Sequence, residues 1–440
     1  MSDPADLLRV LTRLRVARPA ELQAALGISQ ATLSRLVARA NTDVLRMGRG
    51  RATQYARRRV IHGLESPLPV FRVSASGAVE DSGVLHLLGD AQHWWARSPR
   101  EGTLFRGLPP QLVDMAPQGY IGRGFPQRYP ELQLPERIAD WSDDHRLIAL
   151  AKRGEDCVGD LVIGSESLAR WAASSPTLVR DADYPKLATL ATQNIAGSSA
   201  GGEQPKFGAF AGGRHVLVKF SPPADTPAAR RWRDLLWCEW KALEAVHAAG
   251  TRAARARLVD VEGWRCLEVE RFDRTGERGR RAVVSLAALD DEYFGQRDSW
   301  SSAAARLVST PFSLPPADAT HLRWLDVFGQ LTGNTDRHFG NVAFFVESSG
   351  ALRLAPAYDM LPMILAPVND TVVGRDFQPA PPSGDNLDLW SDAAHWAERY
   401  WREVQANPDL HDDVRAFADR AALAIAALAR RVAPERGGTG

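Results

Sequence analysis

LTGNTDRHFGNVAFF (residues 331–345), followed by PAYDM (residues 356–360), decides the fold. It sets Asp336 and Asn341 five residues apart in a tight loop. The apolar run 342–345 reads as a strand, and a second strand-like run, 351–355, leads to Asp359. An Asp-x-x-x-x-Asn loop, a hairpin and a further aspartate are the minimum for phosphoryl transfer from a nucleotide. One carboxylate orients a hydroxyl, while an amide and a second carboxylate hold magnesium.

Upstream, NIAGSSAGGEQPKFGAF (residues 194–210) places three glycines and two serines ahead of a turn. Glycines let backbone N–H groups approach phosphates closely, and Lys206 adds charge. A Gly/Ser-rich surface loop is the plainer reading. HVLVKF (residues 215–220) reads as a strand carrying Lys219 near its end. An amphipathic helix is expected over 228–248, with Glu239 about twenty residues after Lys219. Such a lysine can hold the α- and β-phosphates while a helix glutamate positions it. Taken singly, Lys219 reads as exposed, and Glu239 as part of a solvated face with Lys241. CLEVERFDR (residues 266–274) is a strand ending in polar residues, suited to a hinge whose backbone meets an adenine ring. Gly-rich loop, strand lysine, helix glutamate, hinge strand, Asp-x-x-x-x-Asn loop, hairpin and aspartate follow the order of a protein-kinase-like fold.

The first 60 residues hold twelve arginines, no lysine and four acidic residues, a net of +8. The whole chain carries only +1, which leaves −7 for the remaining 380 residues. A basic head on a mildly acidic body points to a polyanion as the head's partner. Leu7, Leu8, Leu11 and Leu14 have helical spacing over 7–16. Pro19 suits the start of a second helix closing on Gly27, and Ser29 can cap a third whose Leu33, Leu36 and Val37 face inward. VLRMGRGRATQYA (residues 44–56) then has a basic, Gly-rich tip between strand-like flanks. The pattern is a winged helix-turn-helix, in which the third helix enters the major groove. Gln30, Thr32 and Arg35 are then candidates for base edges, and Arg39, Arg46, Arg49 and Arg51 for phosphates. A helical docking module with a solvated basic face is the plainer reading. The triplet Arg57, Arg58 and Arg59 extends the phosphate contact or begins a solvated linker.

At 440 residues the chain is too long for one small core. Cys157, Cys238 and Cys266 lie far apart and match no metal-ligand spacing, which argues against a disulfide framework or zinc site and fits a reducing cytosol. No signal peptide and no membrane span are expected. Between about 70 and 190 only FRVSASGAVEDSGVLHLL (residues 71–88) reads clearly, as a small β element. His93, Trp94 and Trp95 read as packing rather than ligand residues, and so do the Trp and Ala stripes of the helices expected after about 385.

SSAGGEQPKF, LVKF, VERFDR, GNTDRHFGNVAFF and PAYDM resemble the motifs of HipA-type serine/threonine kinase toxins of bacterial toxin–antitoxin systems. The resemblance runs from about 70 onward and is densest over 194–365. The fused basic head looks like the HipH/YjjJ branch of that family. The resemblance implies an α+β, protein-kinase-like two-lobed HipA fold with an N-terminal winged helix-turn-helix domain. Its divisions would be a head (1–62), a HipA-like N-terminal subdomain (69–190), a kinase N-lobe (191–280) and an α-rich C-lobe (281–435).

ATP and Mg2+ are the implied cofactors. Asp336 would accept the proton of the substrate hydroxyl, and Asn341 and Asp359 would hold magnesium. Tyr358 would line the nucleotide site, and His338 would border the phosphates. Lys219 would meet the phosphates with Glu239 as its partner, and Ala200, Gly201, Gly202, Gln204 and Lys206 would cover them. Glu270, Arg271 and Phe272 would form the adenine hinge. Ser198 or Ser199 would be autophosphorylated, with Ser198 favoured by spacing. Where family members often read SIAGAQEK, this chain reads SSAGGEQPK, one residue longer.

The implied partners are a protein substrate and, through the head, DNA; known family targets include aminoacyl-tRNA synthetases. A separate antitoxin and a homodimer stay open, and the implied setting is cytoplasmic. Two rivals also stay open: a small-molecule phosphotransferase, and a DNA-binding regulator whose inactive kinase fold senses nucleotide.

Overall fold

The computed structural model describes residues 3–98, 100–193, 204–310 and 312–432. Its first helix, α1 (Pro4–Leu14), starts on a capping box between Asp3 and Asp6. Helix α2 (Pro19–Leu26) ends on Gly27 at φ +63°, and Ser29 caps α3 (Gln30–Arg39) by accepting from the Thr32 N–H. Leu7, Leu11, Leu22, Leu33 and Leu36 form their shared core. The spacing carried α1 to residue 16, but Val16–Ala17 is strand β1. It joins β2 (Val44–Met47) and β3 (Gln54–Arg57) in a sheet of order β1-β3-β2.

Two compact units divide the chain, residues 1–117 with 129–174 and residues 118–128 with 175–440. In the first unit β4 (Leu68–Val73), β5 (Val79–Leu87), β6 (His93–Ser98), β7 (Glu101–Phe105) and β8 (Leu161–Ile163) form a sheet of order β7-β6-β5-β4-β8. Helices α4 (Pro110–Met115), α7 (Asp143–Arg153) and α8 (Ser165–Ala173) belong with it; the short α5 (Gly119–Arg123) and α6 (Phe125–Arg128) belong to the second unit. Leu45, Met47 and Ala56 of the head pack on Leu88, Trp94 and Ala96, so a shared apolar layer joins the two sheets.

The arginine triplet crosses that join. Arg58 donates to His86 Nδ1 at 3.0 Å, and Arg59 to the Leu88 carbonyl at 3.1 Å. These two side chains are internal pins, neither phosphate contacts nor a solvated linker; Arg57 donates to Thr12 Oγ1. His93 is fully buried and bonds the Gly107 carbonyl through Nδ1, which matches a packing role.

After α5 and α6, the second unit continues with β9 (Leu178–Val179) and α9 (Tyr184–Gln193). Strands β10 (Lys206–Ala211) and β11 (Arg214–Ser221) precede the long helix α10 (Pro227–Ala248), and β12 (Ala256–Val261) and β13 (Trp264–Glu270) follow it. The sheet order is β12-β13-β11-β10-β9. Strands β14 (Arg274–Thr275) and β15 (Gly279–Arg280) pair as a small ribbon. Next come β16 (Val283–Ser285), α11 (Leu286–Tyr293), α12 (Trp300–Val308) and α13 (Pro316–Leu331). Strands β17 (Ala343–Val346) and β18 (Leu352–Leu354) form the expected antiparallel hairpin, with β16 on its other edge. Helices α14 (Leu387–Ala406) and α15 (Asp412–Val432) close the unit, burying Trp390, Trp401, Ala393, Ala397, Ala418 and Ala422 as core. No helix among the described residues is long and apolar enough to cross a membrane.

Candidate active site

Cross-strand register places Lys206 of β10 directly opposite Lys219 of β11. Neighbouring residues in such a pair share a face, so two cations lie side by side and call for anions. Two carboxylates answer. Lys219 donates to Glu239 Oε1 of α10 at 2.6 Å and to Asp359 Oδ1. Glu239 is 1% exposed and Lys219 4%, so the solvated readings of both residues do not hold. Burial would lower the Lys219 ammonium, but Asp359 and Glu239 outweigh it and raise its pKa. Burial would likewise raise the Asp359 carboxyl, but Lys219 and Lys206 hold it down at about 2. The pair is therefore ionised at neutral pH.

Asp359 occupies φ +51°, an uncommon conformation for a residue other than glycine. Its carbonyl accepts from the Asn334 side chain at 3.2 Å, and Asn334 Oδ1 accepts from the Asp336 N–H at 3.0 Å. Asn334 is wholly buried, so one amide ties the two aspartates' backbones together. Asn341 Nδ2 donates to the Asp336 carbonyl at 2.9 Å. That bond assigns the two ends of the amide and leaves the carboxamide oxygen as the atom for a hard cation. With the ionised Asp359 it makes an oxygen donor set suited to magnesium.

The Asp336 side chain is 53% exposed, so an incoming group can reach its carboxylate. His338 Nε2 lies 3.9 Å from Asp336 Oδ2, and its Nδ1 accepts from the Gly340 N–H at 3.0 Å. Tyr358 Oη donates to the Gly340 carbonyl at 2.7 Å, and its ring lies 5.6 Å from that of Phe272. Phe272 also meets Phe345 edge-on, so Phe272, Phe345 and Tyr358 form an aromatic group beside the loop.

At the expected hinge the Glu270 N–H donates to the Arg255 carbonyl and the Arg271 N–H to the His215 carbonyl. Their side chains reach Arg214 and Asp273. Gln204 donates to the Phe220 carbonyl at 2.7 Å, which fixes the chain as it enters β10. Ser198, Ser199, Ala200, Gly201 and Gly202 lie outside the described residues.

The structure thus brings together Lys206, Lys219, Glu239, Asp336, His338, Asn341, Tyr358 and Asp359. Sequence reasoning missed Asn334 as the bridge between the aspartates, and Phe345 as the ring packed edge-on against Phe272. Asn334 stands two residues before Asp336, the spacing at which an Asn side chain bonds a following N–H; that signal was there to read. Phe345 carries none, because only the strand pairing aims it.

In the head, Gln30, Arg35, Arg39, Arg46, Arg49 and Arg51 are exposed. Thr32 is half-buried, with its N–H on the Ser29 cap and its hydroxyl accepting from Arg35. Arg49 pairs with Glu101 at 3.1 Å, both side chains remaining more than 60% exposed.

Two family models match the chain: "YjjJ-like toxin, middle domain" over residues 64–172 and "HipA-like C-terminal domain" over residues 198–432. Toxin YjjJ of Escherichia coli (strain K12) is 35% identical over 456 residues, spanning 98% of this chain and 99% of that protein. Among solved structures, a chain of the Shewanella oneidensis MR-1 toxin–antitoxin complex of HipA, HipB and operator DNA matches with a TM-score of 0.53. It is 16% identical and covers 73% of this chain and 84% of that one, a likeness of fold.

Proposed function

The chain belongs to the YjjJ-like toxins and carries their HipA-like C-terminal domain, and from that premise we propose a serine/threonine protein kinase with a DNA-binding head. The observation that carries the kinase half is the Lys219–Glu239–Asp359 cluster facing Lys206, with exposed Asp336 tied to Asp359 through Asn334.

In this reading Lys219, oriented by Glu239, takes the nucleotide phosphates in exchange for Asp359. Asn341 and Asp359 would hold magnesium, which when bound would neutralise negative charge on the phosphates. Asp336 receives the proton of the attacking hydroxyl as the oxygen closes on the γ-phosphorus and the bond to the leaving oxygen breaks. Phe272 and Tyr358, whose rings are tilted 40° to each other, offer apolar ring surface for the adenine, with Phe345 set edge-on behind Phe272. Positioning and fixed charge do most of the work in this chemistry. Ser198 is the self-phosphorylation site, with Ser199 as its alternative. The head binds its own operator, replacing or supplementing an antitoxin such as the HipB of the matched complex.

The head's support is the set of exposed arginines on α3 and along the β2–β3 ribbon of a winged helix-turn-helix, together with the +8 charge. Removing one phosphate-binding arginine should reduce the salt slope of DNA binding by about 1. Arg35→Ala with Arg49→Ala is thus expected to weaken affinity and flatten that slope; an unchanged slope contradicts the DNA reading. For the kinase half, radiolabelled ATP is incubated with the protein, a cell lysate, and a panel of sugars and aminoglycosides. Label on protein serine or threonine is the expected result. Label on a small alcohol favours the phosphotransferase, and no transfer at all favours the nucleotide-sensing regulator.

A further inference from the structure

Arg337 follows the proposed catalytic aspartate, yet its side chain does not face the cleft. It turns down onto α13, where Nε lies 3.3 Å from Asp326 Oδ1 and Nη1 donates to the Asn334 carbonyl. The guanidinium side chain is only 25% exposed. Asp326 is 3% exposed and is itself fixed by Ser301, through its N–H at 3.1 Å and its hydroxyl at 2.8 Å, and by Gln330 at 3.3 Å. A held carboxylate thus holds an arginine, which holds the backbone of Asn334. Asn334 in turn orients the Asp336 N–H and the Asp359 carbonyl.

The room for this side chain is made by one residue. Gly329 lies in the last turn of α13, where glycine is the poorest helix former after proline. A Cβ there would stand 2.6 Å from Arg337 Cδ and 3.4 Å from its Cγ. Those atoms cannot swing aside cheaply, because Nε and Nη1 are both bonded beyond them. The glycine is a notch cut for the arginine.

We infer that Arg337, seated in the Gly329 notch and anchored on Asp326, is a positioning residue that sets the geometry of Asp336 against Asp359. The inference rests on the kinase reading. It concerns the turnover step rather than nucleotide capture, because the aspartates' relative placement matters most once the hydroxyl attacks. A displacement of about 1 Å at such a group can cost on the order of 100-fold in rate.

The test uses the full-length protein, with phosphoryl transfer from radiolabelled ATP at saturating Mg·ATP, binding of a fluorescent ATP analogue, and thermal melting. Arg337→Met and Gly329→Ala are each expected to slow transfer by roughly 10- to 100-fold while the nucleotide Kd stays within about threefold. Arg337→Lys, which can still reach one of the two acceptors, is expected to recover part of the rate. Gly329→Ala removes a poor helix former, so its helix should persist even if Arg337→Met fails to fold. Wild-type turnover in Gly329→Ala or Arg337→Met overturns the inference. So does a parallel loss of rate and nucleotide affinity that Arg337→Lys does not relieve. If the wild-type protein transfers no phosphate although it binds nucleotide, the kinase reading itself falls and this inference with it.

Discussion

Lys219 is the residue on which the candidate site balances. Two carboxylates converge on one buried ammonium, and Lys206 supplies the second charge that keeps Asp359 ionised. Lys219→Met would leave Glu239 and Asp359 facing each other unpaired. Breaking a buried ion pair on one side costs about 3–5 kcal/mol, and without the ammonium on the phosphates transfer should fall by at least about 100-fold. Denaturant unfolding and labelled-ATP assays check the two parts. Adding Glu239→Gln should restore some of the stability but none of the activity, since one buried charge goes with the carboxylate. The pH sign is fixed by Asp359. Its pKa is depressed to about 2 from 3.8, so its stabilising share is complete above pH 4 and is lost as pH falls toward 2.

At the scale of elements, much of the site was legible because it lies on regular structure. β11, α10 and the β17–β18 hairpin stand where alternation, helical spacing and apolar runs put them, within a residue or two, while β13 (Trp264–Glu270) ends four residues before the expected strand does. The lysine-to-glutamate spacing could be read because one residue lies on a strand and the other on the helix that follows it. What was not legible depends on pairing between distant segments. Val16–Ala17 looked like the end of a helix and is an edge strand, because β3 captures it 40 residues later. Arg58 and Arg59, open in the sequence between phosphate contact and solvated linker, are pinned inward, because β5 and the segment after it supply a histidine and a carbonyl.

That pin has a consequence in solution. Burial, then the Arg58 charge, hold His86 down at about 4, so the folded protein keeps it neutral where the unfolded chain takes up a proton. Stability should therefore fall as pH drops from about 6.5 to 4, by on the order of 1–2 kcal/mol once solvent screening is allowed for. His86→Gln, which keeps an acceptor for Arg58, should flatten that slope in melting curves taken across the window. An unchanged slope would remove His86 from the account.

For the whole molecule, the sequence reading does not include how the head is joined to the middle sheet. Leu45, Met47 and Ala56 are buried in one apolar cluster with Leu88, Trp94 and Ala96, and so the head shares a unit with the middle sheet. A fragment of residues 1–62 should accordingly melt well below a fragment of residues 1–174 and bind apolar dyes. Equal melting temperatures by circular dichroism would show that the head is self-sufficient. The family match spans this join and the HipA-like domain alike, so the same chain carries the basic head and the Lys219–Glu239–Asp359 cluster.

The central claim is that Asp336 receives the proton of a protein hydroxyl during transfer from ATP. It is tested most directly by comparing purified wild-type protein with Asp336→Gln in labelled ATP and magnesium. The account predicts label on serine or threonine with the wild type and a loss of at least about 100-fold in the variant, with nucleotide affinity nearly unchanged. Equal labelling of the two proteins would contradict it.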